Sequence, residues 1–487
     1  MKPIPLILIA LLALAVTGCV VGPNYHRPAL SSPAHWSEPL AGGESNAPAD
    51  LDAWWKSFHD PELDSLIARA TASNLDLRSA RARVLEARAR YGIASAALWP
   101  SADVSGSYAR AGTSHHQPVL GSLPVPPEVP FENDVYQVGF DASWELDVFG
   151  GQRRAREAAR AEVGAAEYGR RDTLLTLLGD VARNYLEVRA DQRRLAIARE
   201  NLRAQAEALA IAQDRFTNGV ATDLDVQQAA TLLATTEAEV PALKTARQAG
   251  IHRLGVLLGL PPGALLAELS EDAPIPAAPP EVPVGLPSDL LLRRPDVQKA
   301  ERQLAAATAN IGVAMADLFP KISLTGIGGF ESISSGDWFT AGSRFWSLGP
   351  TVQWKIFEAG RIRANIRVQT ARQEQALAAY ERTALSAFQD VEDGLEAYAN
   401  EQVRRRSLRT AVASSRESLD LARRLYTQGL TAFVNVLEAE RSLYQAEDAL
   451  VQSDRAVATD VVALYKALGG GWQTAESRVT LAHTVTP

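Results

Sequence analysis

The chain has 487 residues and a formal net charge of −8, with 49 basic and 57 acidic side chains interspersed along it. That charge pattern argues against a nucleic-acid face and points to no other partner. Its single cysteine, Cys19, excludes an intramolecular disulfide, and the length suits either several domains or one elongated one.

The N-terminus reads as an export signal. Lys2 supplies a positive start, and Ile4 to Val16 are apolar apart from Pro5. The run is too short to cross ~30 Å of hydrocarbon, and small residues follow it, so residues 1–18 fit a signal peptide. The segment Ala15-Val16-Thr17-Gly18-Cys19 resembles a bacterial lipobox. That resemblance makes Cys19 an acylated, palmitate-bearing first residue of the mature chain. An unmodified thiol beside an ordinary cleavage site is the plainer alternative. Val20, where an aspartate would hold a lipoprotein back, favours the outer over the inner membrane by the same resemblance. Residues 19–60 form the lipidated N-terminal extended segment. No later stretch approaches the apolar length of a transmembrane helix, so any membrane crossing is by strands.

Beyond residue 60 the chain repeats itself. Arg215-Phe216-Thr217-Asn218-Gly219-Val220 matches Leu425-Tyr426-Thr427-Gln428-Gly429-Leu430 at an offset of 210. The same offset pairs Asp180-Val181 with Asp390-Val391 and Leu258-Gly259 with Leu468-Gly469. Upstream the offset drifts, pairing Leu98-Trp99-Pro100 with Leu318-Phe319-Pro320. A colinear series of this kind predicts two similar halves: a first repeat over 61–260, a proline-rich connector over 261–293, a second repeat over 294–470 and a tail over 471–487.

Each half opens with a helix, Glu62 to Leu98 and Asp296 to Leu318, rich in Ala, Arg and Glu and stopping before Pro100 or Pro320. Strands follow. Tyr136, Val138, Phe140, Ala142, Trp144, Leu146 and Val148 alternate with polar or small residues, as do Trp346, Leu348, Pro350, Val352, Trp354 and Ile356. Shorter alternations run through Ala102, Val104 and Tyr108 and through Ile322, Leu324 and Phe330. A period of two gives one apolar face. The strand lengths suit a tilted bilayer crossing, and aromatics gather toward the strand ends as in an interfacial girdle. A half-buried soluble sheet is the alternative. Four strands cannot close a barrel, and an open edge in lipid leaves backbone groups unpaired, so copies must pool their strands. Long helices come next, Gln152 to Phe216 and Arg361 to Tyr426, each able to reach roughly 100 Å. They end at glycine turns, and shorter helices return to Gly259 and Gly469.

The chain resembles the TolC-like outer-membrane factors, specifically the NodT/OprM-type efflux lipoproteins. The resemblance rests on Gly18-Cys19-Val20-Val21-Gly22-Pro23-Asn24-Tyr25-His26-Arg27-Pro28, on Trp144-Glu145-Leu146-Asp147-Val148-Phe149-Gly150, and most specifically on Gly285-Leu286-Pro287-Ser288-Asp289-Leu290-Leu291-Leu292-Arg293-Arg294-Pro295-Asp296. It implies a mainly α fold with a β-barrel part. Three subunits would form a homotrimer with four strands each in a twelve-strand outer-membrane barrel and a long periplasmic α-helical tunnel. It implies the exit duct of a tripartite efflux system, with a periplasmic adaptor and an inner-membrane pump of the RND type as partners. A duct for type I protein secretion is the alternative within the same resemblance.

Enzyme motifs are missing: the sequence holds no Walker loop, Gly-x-Ser-x-Gly or His-Glu-x-x-His. His115 and His116 sit in a Gly- and Pro-rich segment read as a solvated loop, so neither a metal site nor a cofactor is expected. A surface hydrolase and a purely structural periplasmic spacer are the rival classes. The turns at Asn218-Gly219 and Gln428-Gly429 are expected to be the adaptor-contacting tips. After Gly429, Val434, Glu438 and Arg441 lie on one helix face and match the family's tunnel constriction. Asn435 stands where TolC has a carboxylate, which leaves a second acidic ring open. A surface ion pair between Glu438 and Arg441 is the plainer reading. The corresponding Leu224, Asp225 and Gln228 lack the arginine and carry no expected gate role.

Overall fold

Asp60 and Asn74 set where the first helices begin. The structure, a computed structural model, describes residues 20–37, 44–45, 51–112, 132–279, 282–285 and 287–473. Cys19, the signal at 1–18, His115, His116 and residues 474–487 lie outside the described residues. Asp60 accepts hydrogen bonds from the amides of Glu62 and Leu63 and caps α1, Pro61–Ser73. Asn74 then accepts from the Leu77 amide at 2.8 Å and starts α2, Leu75–Ala96. One helix from Glu62 to Leu98 was the expectation. The break arises because the Asn74 side chain satisfies a free amide at a new helix start, which competes with continuation.

The residues fall into two compact units. The first comprises Met1–Pro28, Leu85–Ala165 and Glu301–Ala379. It holds an antiparallel sheet of β1 (Ser101–Gly112), β2 (Glu132–Leu146), β3 (Lys321–Ser332) and β4 (Arg344–Gln353), paired in that order. The central pairing joins the two halves of the sequence, with Val138 opposite Phe330 and Trp144 opposite Leu324. Strands of 12, 15, 12 and 10 residues reach or exceed the ~9–11 that a tilted crossing requires. Among the described residues β1 and β4 pair on one side only.

Two strand ends differ from expectation, each for a local reason. β2 stops at Leu146 rather than Val148 because the Asp147 carboxylate accepts from the amides of Gln152 and Arg153 and caps the next helix. β4 stops at Gln353 rather than Ile356, and the Trp354 indole donates to the Leu318 carbonyl at 3.0 Å.

The second unit comprises Ala29–Val84, Ala166–Ala300 and Tyr380–Pro487. It contains most of α3 (Gly151–Thr217) and α7 (Arg361–Thr427), each 67 residues, and the returning helices α4 (Asp223–Leu257) and α8 (Phe433–Ala467), each 35. Equal lengths in the two halves express the repeat. α1, the start of α2, α5 (Pro287–Arg293) and the start of α6 (Pro295–Ala316) also belong to it. Leu174, Leu178, Val181, Tyr185 and Leu186 are buried on α3, as are Val461, Val462 and Leu464 on α8. Trp54 stacks on Tyr465 with centroids 5.4 Å apart. Among the described residues no helix is long and apolar enough to cross a membrane.

Candidate functional site: the glycine turns and the groove between α4 and α8

Both long helices end in the same hydrogen-bonded turn. The Val220 amide donates to Arg215 and the Gly219 amide to Phe216; Leu430 and Gly429 repeat this with Leu425 and Tyr426. This six-to-one and five-to-two pattern needs a left-handed residue after the helix, and Gly219 and Gly429 supply it at φ +72° and +73°. Asn218 donates its side-chain amide to the Asp214 carbonyl at 2.8 Å, and Gln428 occupies the matching position. Val220 is 65% exposed and Leu430 69%, so each turn carries an unburied apolar residue. Thr222 and Asp225 then form a reciprocal capping box for α4. That employs Asp225 locally, whereas α8 begins at Ala432 with no side-chain cap.

The two helical hairpins meet around a small core. Ala208 and Ala212, Ala229, Leu419, and Phe433, Val436 and Leu437 cluster there from α3, α4, α7 and α8. The Arg215 guanidinium lies 4.4 Å from the Tyr426 ring centroid, and Tyr426 contacts Phe433 with centroids 5.0 Å apart. Burial, and secondarily the charge of Asp225, raises the Tyr426 hydroxyl pKa, against the opposing effect of Arg215. Sequence reasoning missed this stacking, although Arg215 and Phe216 fall opposite Leu425 and Tyr426 in the repeat.

The three expected gate residues lie together on the side of α8 away from that core. Val434 is 47% exposed. Arg441 donates to both carboxylate oxygens of Glu438, at 2.8 and 2.6 Å, with both side chains more than half exposed. They line a groove of about 580 Å³ with Leu224, Gln228, Thr231 and Thr235 of α4. Leu224 and Gln228, for which no gate role is expected from the sequence, share the groove. Asn435 donates to Thr431 at 2.6 Å and does not line the groove. One turn on, Glu440 is 1% exposed and pairs with Arg423 at 2.8 Å. Burial raises its carboxyl pKa, and Arg423 pulls the other way. This buried acid was also missed, because an exposed and a buried glutamate look alike in sequence.

Elsewhere in the second unit, the Arg293-Arg294-Pro295-Asp296 stretch has a structural explanation. Arg294, 9% exposed, donates to Asp296 at 2.7 Å, to Asp390 of α7 at 2.7 Å and to the Ala467 carbonyl at the end of α8. One guanidinium fork therefore ties three helices. Among the described residues no group of His, Cys, Asp and Glu side chains could hold a metal ion.

A sheet of bilayer-length strands whose two edges are unpaired among the described residues, carried by the same chain as paired helices of 67 residues, fits a membrane-channel subunit. The chain belongs to the outer membrane efflux protein family, whose model matches residues 66–260 and 286–470. It is an outer-membrane efflux channel protein of the TolC-like, NodT-type class. The pyoverdine export outer membrane protein OpmQ of Pseudomonas aeruginosa is 38% identical over 453 residues, 91% of this chain and 92% of that protein. Nodulation protein T of Rhizobium leguminosarum bv. trifolii is 33% identical over 465 residues, 94% of this chain and 96% of that protein. The solved structure of the outer-membrane channel OprN superposes with a TM-score of 0.86 at 34% identity, covering 93% of this chain and 100% of that one. The family and these relatives are channel proteins rather than enzymes, and they do not favour a type I protein-secretion duct.

Proposed function

We propose that three copies of this chain pool their sheets into one twelve-strand barrel and form the outer-membrane exit duct of a tripartite pump for small molecules. The observation that carries this reading is the pair of free sheet edges, β1 and β4. In hydrocarbon each unpaired backbone group costs several kcal/mol, so β4 of one subunit must pair with β1 of the next. A rotation that closes turns this head-to-tail contact into a ring. Acylation of Cys19 adds a membrane anchor, which alone is marginal, while the barrel holds the protein in place. The turns at Asn218-Gly219 and Gln428-Gly429 are the tips that meet a periplasmic adaptor, and an inner-membrane pump of the RND type supplies the cargo. Val434, Glu438 and Arg441, each repeated three times about the axis, constrict the tunnel.

Two measurements test this. Single cysteines placed in β1 and β4 should crosslink between subunits into a three-chain species. The purified protein in a planar bilayer should show discrete openings. A two-chain limit, or an absence of openings even after the constriction is loosened, would overturn the reading.

A further inference from the structure

The stretch Val20-Val21-Gly22-Pro23-Asn24 is not a free tether; it is clasped to the first unit. The Val21 amide donates to the Phe149 carbonyl at 3.2 Å, in the corner between β2 and α3. Arg154, one turn into α3 and only 3% exposed, closes over the strap. Its Nε donates to the Val21 carbonyl at 3.1 Å, and its Nη2 to the Gly22 carbonyl at 3.1 Å and to the Asn24 Oδ1 at 2.8 Å. Nη1 goes to Glu157 at 2.8 Å. Three of four acceptors are on the strap, and two are its backbone.

The backbone of the strap is fitted to this place. Gly22 has φ +90°, and a Cβ there would fall 2.4 Å from the Gly312 Cα of α6. A Cβ on Gly312 would in turn meet the Arg154 side chain at 2.8 Å, and one on Gly150 would meet the Val20 Cα at 2.8 Å. Beyond the clasp, Tyr25 donates to the buried Glu301. Burying a guanidinium is costly unless its donors are satisfied, and a planar fork can meet several acceptors that a lysine cannot. A fork spent on three strap acceptors fixes where the chain begins its path along the first unit.

We infer that Arg154 is a positioning residue for the lipid anchor: it holds the residues that follow Cys19 against the base of the strands, so that the acyl group reaches the membrane beside the inserting sheet. The inference rests on the acylation of Cys19 proposed above. A clasped anchor gives the strands a high local concentration at the lipid surface, whereas a loose one dilutes that advantage.

The test uses the full chain in cells, with Arg154→Ala and Arg154→Lys made both in the natural background and with Cys19→Ser exported on a non-lipoprotein signal. The mass of the mature N-terminus in the unaltered chain reports acylation by itself. Hydrogen exchange at the Val21 amide reports the clasp and should quicken about tenfold or more in Arg154→Ala, the equivalent of about 1.4 kcal/mol. Pulse-labelled assembly in the outer membrane reports the consequence. Arg154→Ala should slow it by a factor comparable with that of Cys19→Ser, and the two changes together should be no slower than either alone, because both remove one coupled step. Arg154→Lys should recover only part of the rate. Equal slowing by Arg154→Ala on both backgrounds would show a merely structural role, and unchanged Val21 exchange would show no clasp; either overturns the inference. An unmodified Cys19 would overturn the lipid role while leaving the clasp measurable. Should Arg154→Ala fail to fold, Asn24→Ala, which removes one exposed acceptor, is read in the same way and with the same criteria.

Discussion

Trp144 donates its indole N–H to the Leu98 carbonyl at 3.0 Å, closing the C-terminal end of α2 with a side chain from β2. Trp354 does the same to Leu318, again at 3.0 Å, after α6. Both carbonyls lie two residues past the end of a helix, where the intrahelical donors have run out, so the indole satisfies a helix-end acceptor. Replacing either tryptophan by phenylalanine keeps much of the apolar ring and removes the bond. We expect a loss of about 1 kcal/mol for each, read as earlier thermal unfolding in detergent. The double variant should lose nearly the sum of the two effects, since the two bonds have no residue in common.

Arg294→Ala should be among the more damaging substitutions in the second unit. It leaves Asp296 and the Ala467 carbonyl without the guanidinium that joins them. Breaking a buried ion pair from one side costs about 3 kcal/mol or more. Asp390→Asn should cost much less, because the Asp390 side chain is 52% exposed and regains water. Arg294→Lys should fall between, keeping charge but losing the fork. Thermal unfolding of the three variants gives the order.

Asp460 sets a pH dependence. Burial, and then the charge of Glu401, raises its carboxyl pKa from 3.8 to about 6. The folded chain therefore holds this proton to higher pH than the unfolded chain does. The associated stability is complete below the unfolded value, falls as pH rises from ~4 through ~6, and is level above that. Asp460→Asn removes the penalty. It should stabilise the protein by about 1–3 kcal/mol near pH 7.5 and change little near pH 4. An equal effect at both values would show that the carboxyl titrates normally.

Gly219→Val and Gly429→Val should weaken adaptor contact while sparing barrel assembly. Nothing lies within 4 Å of a Cβ at either position, so the cost is the left-handed backbone alone, about 1–2 kcal/mol. By contrast, a Cβ on Gly259 would meet the Ser73 carbonyl at 2.7 Å, and Gly259→Val should destabilise the fold itself. Site-specific photocrosslinking to the adaptor, beside assembly measured on the same cells, separates the two effects. Full adaptor crosslinking in both tip variants would move the contact elsewhere.

The repeat, the strands and the long helices were legible because they follow period, proline and glycine. The turn sequences at Gly219 and Gly429 fixed the helix ends to within a residue of their observed positions. What sequence could not show depends on which face of a helix is buried. Asn74 looks like any asparagine in a helical run until its neighbours place it at a cap. Arg154 and Arg294 are two arginines among many, and their roles come from acceptors 130 or more residues and 96 residues away respectively. Oligomeric closure is a proposal that the sequence supports only indirectly, through strands too few to close alone.

The gate reading turns on a face of α8. Phe433, Val436, Leu437 and Glu440 point into the core shared with α7 and the first hairpin, while Val434, Glu438 and Arg441 remain exposed in a single chain. The Glu438–Arg441 pair sits three residues apart in water and contributes at most a few tenths of a kcal/mol. Its removal should therefore leave the fold intact, which makes conductance a clean readout. Replacing Val434, Glu438 and Arg441 together by alanine should shift thermal unfolding by less than about 0.5 kcal/mol and raise single-channel conductance in a planar bilayer. Glu438→Gln alone should lower cation preference, most clearly at low ionic strength where a ring of carboxylates is least screened. Arg441→Gln should increase it, by freeing the same carboxylates. Unaltered conductance in a fully assembled triple variant would place the constriction at another level of the tunnel, and unaltered selectivity in both single variants would mean that these charges face away from the permeation path.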